Sequence, residues 1–148
     1  MKAISTALLL ALSVAPAWAE QTDKVVVNDL DSTKKVAYSC SSDTDGKRKL
    51  DLEVMYGMKE GEVVVSQVKI GNFISPGMWR VPDTLLNRFA GKDEKSLPTM
   101  WTTLPATADD VDKVDGGKLS YSEEEGGVQT VIAEKCKLDK EKTAQLNR

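Results

Sequence analysis

Hydrophobic and polar positions alternate at period two in several short runs of this chain. Leu50-Asp51-Leu52-Glu53-Val54-Met55-Tyr56 puts Leu50, Leu52, Val54 and Tyr56 on one side of a strand. An earlier run carries Val36, Tyr38 and Cys40, and the stretch from Ser41 to Gly46 ends in Asp45-Gly46, a pair suited to the positive backbone angles of a turn. Together they predict a hairpin. Glu62 to Ile70 is rich in β-branched residues and is entered through Gly57-Met58-Lys59-Glu60-Gly61, so it predicts a third strand with Val64, Val68 and Ile70 facing inward.

From Gly71 to Pro98 the pattern is broken by Pro76-Gly77 and Pro82, with Met78-Trp79-Arg80-Val81 as one short strand. Asp83 to Gly91 predicts a short helix, opened by Pro82 or Asp83 and closed by Gly91. Ser96 to Leu104 reads as a strand around Met100-Trp101, ended by Pro105. Gly117 to Ser122 and Val128 to Cys136 form a terminal hairpin through Glu123-Glu124-Glu125-Gly126-Gly127. Lys137 to Arg148 is charged with few apolar residues, so a flexible tail is expected over about 139–148. Short strands at close spacing without a sustained helical period indicate an antiparallel all-β fold, either a small barrel or a sandwich.

Composition narrows this picture. Met1 to Ala19 joins Lys2, an apolar run from Ala7 to Ala15 and the small-residue Ala17-Trp18-Ala19, the pattern of a secretory signal cut before Glu20. That run is too short to span a bilayer, and Glu20 offers no thiol for lipid attachment. Residues 20–148 then form a single domain with 19 basic and 23 acidic side chains, a net of −4. Such a surface does not suit nucleic acid. The two cysteines, Cys40 and Cys136, lack metal-type spacing, and in an exported chain they read as one disulfide. That bond joins an early strand to the last one and favours closure into a barrel.

The chain contains no histidine, which removes the usual general base, the commonest metal ligand and the Ser-His-Asp and Cys-His pairs. No catalytic set, cofactor site or metal site assembles, and a non-enzyme is expected. A calcium loop starting at Asp110 and Asp112 fails, because Asp115 stands where the glycine belongs and Tyr121 where the closing glutamate belongs. The most uneven feature is Asp109 to Glu125, with a local net of −5 against +1 for the rest of the mature chain. Such acidity in two loops flanking one strand predicts a negative field that steers a cationic protein to one end of the barrel, against the simpler reading of a solvated loop. Phe73, Trp79, Phe89 and Trp101 are expected mostly in the core, with an interface role as the alternative.

Val36-Ala37-Tyr38-Ser39-Cys40, the strand ending Val54-Met55-Tyr56-Gly57, Val64-Val65-Ser66-Gln67-Val68 and the closing Glu134-Lys135-Cys136 carry a family resemblance. Over roughly Lys34 to Leu138 the chain resembles the adhesin complex proteins of Gram-negative bacteria and, more distantly, the periplasmic and membrane-bound inhibitors of C-type lysozyme. Its firmest points are Tyr38-x-Cys40 and Cys136. The resemblance implies an eight-stranded antiparallel barrel with one disulfide, exported to the periplasm or outer surface. It also implies a partner, the host's C-type lysozyme, and adhesion to host cell surfaces as a further role; a homodimer is left open. In the inhibitors a Ser-Gly-x-x-Tyr loop enters the lysozyme cleft. Here the nearest match runs from Gly116 to Tyr121, with Gly117 four residues before the tyrosine and Ser120 adjacent to it, and no Thr-Lys-Gly loop follows. The family's inhibitory serine and lysine are therefore not carried over. The candidate partner-binding residues are Gly117, Lys118, Ser120 and Tyr121 as contacts and donors, with Glu123, Glu124 and Glu125 to steer.

Overall fold

The computed structural model describes residues 29–42, 47–82, 84–92, 98–122 and 127–148. The signal segment, the Asp45-Gly46 turn and Glu123 to Glu125 lie outside these. Among the described residues nine strands follow one another: β1 (Ser32–Ser41), β2 (Lys49–Lys59), β3 (Glu62–Ile70), β4 (Phe73–Ile74), β5 (Met78–Arg80), β6 (Asn87–Lys92), β7 (Pro98–Thr103), β8 (Gly116–Ser122) and β9 (Gln129–Leu138). All pairings are antiparallel. Eight strands close in the order β2-β1-β9-β8-β7-β6-β5-β3 and back to β2, with β4 added beside β3. Closure leaves few free edges, and the Cys40–Cys136 disulfide bridges the neighbouring β1 and β9.

Pairing Val36 with Val54, Tyr38 with Leu52 and Cys40 with Leu50 turns both period-two runs to the interior as expected. Val68 also faces in, but Val64 does not. Gly57 pairs with Val65 and Met58 with Val63, so β3 carries one extra residue there, and this bulge puts Val63 in the core instead. Trp101, Tyr38, Tyr56, Phe89, Leu52 and Met78 fill the interior. One end of the barrel is plugged by the loop before β8, whose 3-10 turn Val111–Lys113 drives Val111 into the core.

Two further expectations are corrected. The helix expected over Asp83 to Gly91 is replaced by loop at 84–86 and strand β6 from Asn87, with Asp83 outside the described residues, because Asn87 and Phe89 are buried while Arg88 between them is exposed, a period of two. Asn87 donates its side-chain amide to the Ala106 carbonyl at 2.9 Å. Gly91 is required: a Cβ there would collide with the Gly77 carbonyl oxygen. The charged tail also does not fray. It forms helix α1 (Lys140–Leu146), capped by Asp139, whose side chain accepts from the Lys142 amide, and it packs on β1 with Thr143 buried.

Within the core, Tyr38, Tyr56 and Trp101 form a polar cluster. Tyr38 and Tyr56 share a hydrogen bond of 2.6 Å between hydroxyls, and the Trp101 indole donates to the Tyr56 hydroxyl at 2.9 Å. Burial holds both tyrosines neutral by raising their pKa above the ordinary phenol value; for Tyr38 the neighbouring Tyr56 adds to this. The Trp101 ring also explains a glycine, since a Cβ on Gly116 would lie 2.8 Å from the indole and 3.2 Å from the Cys136 Cβ.

Candidate binding surface

The candidate residues of the β8 region occupy a strand, not a protruding loop. Thr102 pairs with Lys118 and Thr103 with Gly116, so Gly117 is the extra residue of a bulge, and a Cβ on it would sit 2.8 Å from the Thr102 carbonyl. Its role is to let β8 approach β7. Beyond it, Leu119 and Tyr121 share the inner side and Lys118 and Ser120 the outer side. Lys118 is exposed and Tyr121 half-buried. Ser120 is buried and donates to the Gln129 side-chain oxygen at 3.0 Å. Of the three donors, Lys118 is thus the exposed one.

It also supplies a partner that the sequence pattern hid. Arg88 pairs with Thr102, which pairs with Lys118, so an exposed arginine and an exposed lysine flank one threonine on the outer wall. Their backbones are two strand spacings apart, about 10 Å. The register of Arg88 against β7 exists only in the strand pairing, and the alternation of Asn87, Arg88 and Phe89 is its signal in the sequence.

The run from Asp109 to Asp115 precedes β8, and Glu123 to Glu125 lie outside the described residues. Of the first run, Asp110 accepts from the Thr107 amide at 2.7 Å, fixing the loop. Asp112 pairs with Lys34 at 3.5 Å, and Lys34 also donates to the Ala108 carbonyl. Asp115 accepts from the Leu138 amide at 2.8 Å and pairs with Lys137 at 3.6 Å. Asp109 stays exposed beside them. Much of this charge therefore secures the plug and the start of β8, and its field is partly offset by Lys34 and Lys137.

The aromatics divide. Phe89 and Trp101 are core, whereas Trp79 is 43% and Phe73 49% exposed. Trp79 pairs with Val65 on the outer wall, and Leu30 packs over Gly57 and Val65 alongside. At the end away from the plug, Leu50, Ile70, Phe73 and Ile132 with Ser42 and Arg48 line a recess of about 400 Å³, where the Arg48 Nε donates to the Ser42 hydroxyl at 3.1 Å. Aromatic and aliphatic side chains fill the interior beneath, so any contact with a macromolecule falls on the walls and mouths. No protein-family model, curated protein or solved structure matches this chain.

Proposed function

We propose that the protein is an exported, non-catalytic binding protein that occludes the active-site cleft of a C-type lysozyme. The observation that carries this reading is the closed eight-stranded barrel whose first and last strands are tied by Cys40–Cys136, the architecture that the resemblance implies. The disulfide also accords with an oxidising, exported location. C-type lysozymes are cationic and work through two cleft carboxylates, so a useful inhibitor presents donors to those carboxylates and negative charge around them. Lys118 and Arg88 on the β6–β8 wall are donors of that kind, and Asp109 and Asp110 lie in the loop that leads into β8. The contact then uses a strand wall in place of the family's inserted loop.

Calorimetric titration of the disulfide-bonded protein, residues 20–148, with lysozyme tests this. Saturable binding is expected, weakening with salt and lost in Lys118→Glu/Arg88→Glu. Absence of heat at low salt, or binding untouched by both reversals, contradicts the reading. A second reading, a surface adhesin, is favoured by the outward Trp79 and by Leu85, which is 92% exposed, since large exposed apolar side chains suit macromolecular contacts. Loss of host-cell binding in a strain producing Trp79→Ser/Leu85→Ser, with lysozyme binding absent throughout, would select it.

A further inference from the structure

The two ends of the barrel are finished differently. At one end Val111 of the loop before β8 enters the core. The other end holds the recess of about 400 Å³ lined by Leu50, Ile70, Phe73 and Ile132 with Ser42 and Arg48. The strand pairings build it. Cys40 pairs with Leu50, and two residues on the Ser42 amide donates to the Arg48 carbonyl at 3.1 Å, so Ser42, Arg48 and Leu50 continue the inward side of the β1–β2 hairpin. Ile70 pairs with Phe73, and both continue the side on which Val68 is buried. Leu52 and Val68, two residues further in on β2 and β3, are fully buried, so the recess has a filled apolar floor. Leu50, Ile70 and Ile132 pack against that floor, and Phe73 stands 49% exposed at the edge.

The polar corner of this recess offers donors. The Ser42 hydroxyl accepts from the Arg48 Nε at 3.1 Å, which leaves the hydroxyl proton and the terminal guanidinium N–H groups to be donated. Among the described lining residues none is acidic. A cationic, donor-rich corner beside an apolar hollow selects a ligand with an apolar tail and an acceptor head, and an ionised carboxylate matches the planar guanidinium in two parallel bonds. The volume falls in the lower part of the range of small-molecule sites, about 300–1,000 Å³, and the filled core beneath limits its depth. We propose that this mouth of the barrel binds a medium-chain fatty acid, its alkyl chain against Leu50, Ile70, Phe73 and Ile132 and its carboxylate on Arg48 and Ser42. Lys118 and Arg88 lie on the outer wall, so this site stands or falls independently of lysozyme binding.

Titration of the disulfide-bonded protein, residues 20–148, with decanoate below its micelle-forming concentration tests this, with decanol as the uncharged counterpart. Saturable binding is expected, tighter for decanoate than for decanol, with methyl NMR shifts centred on Leu50, Ile70 and Ile132. Phe73→Ser, at a half-exposed position, is expected to weaken both ligands about five-fold. Arg48→Met keeps the aliphatic stem and removes the donors. It is expected to weaken decanoate about five-fold, as suits an exposed cation, and to leave decanol unchanged. Absence of saturable decanoate binding, shifts centred elsewhere, binding untouched by Phe73→Ser, or equal losses of decanoate and decanol in Arg48→Met overturn the proposal. So does sedimentation with phosphatidylglycerol vesicles by a protein that leaves decanoate unbound, which assigns the mouth to a membrane surface instead.

Discussion

Replacing Tyr56 by phenylalanine removes one oxygen from a site where nothing can take its place. The Trp101 N–H loses its acceptor, and the Tyr38 hydroxyl loses its hydrogen-bonded neighbour, both inside the closed barrel. Stranding a buried polar group costs about 1–3 kcal/mol, so two of them put Tyr56→Phe at about 2–6 kcal/mol. Tyr38→Phe is milder, about 1–2 kcal/mol, because the Tyr56 hydroxyl still accepts from the indole. In the double variant both hydroxyls are gone and the indole alone is stranded, so the combined loss falls well short of the sum of the single losses. Urea unfolding followed by tryptophan fluorescence, with the disulfide intact and the slope compared among variants, measures all three. Equal losses for the two single variants, or additive losses in the double, would refute the assignment of Tyr56 as the hub.

The same tyrosines set the alkaline limit of the fold. Their folded pKa lies above the unfolded value of about 10, so stability is complete below that pH and falls as the pH rises beyond it; tyrosinate absorbance should show Tyr38 and Tyr56 ionising only as the near-ultraviolet dichroism collapses. Gly91→Ala drives a methyl into the Gly77 carbonyl and is expected to cost at least about 1–3 kcal/mol in denaturant midpoint, whereas Gly61→Ala, with open space around it, costs strain from its positive φ alone. Reducing Cys40–Cys136, separated by 96 residues, should lower stability by about 4–5 kcal/mol on the chain-entropy argument, read as the shift in urea midpoint between oxidised and reduced protein.

How far the fold was legible depended on how local each feature is. Val36 to Cys40 and Leu50 to Tyr56 alternate without interruption, and the period alone assigns their inward faces. Val64 misled because a bulge is a relation between two strands, and only the pairing of Gly57 with Val65 and Met58 with Val63 reveals it. Leu85 and Leu86, next to Asn87 and after Pro82, imitate the start of an amphipathic helix, yet both are exposed loop residues. Helix α1 went unseen because Thr143 and Asn147 hold it through backbone contacts, which leave no apolar stripe at helical spacing. At the candidate surface Lys118 was visible as an exposed cation on a strand. Arg88 was not, since its place beside Lys118 exists only in the register across β7.

The central proposal, occlusion of a lysozyme cleft by the outer wall of a disulfide-tied barrel, is tested most directly by hydrolysis of bacterial cell-wall suspensions. With the oxidised protein in molar excess, clearing by a C-type lysozyme is expected to slow in proportion to the complex formed, and to recover fully when Lys118→Glu/Arg88→Glu is used instead. Clearing at the uninhibited rate under a saturating excess of the native protein at low salt would contradict it.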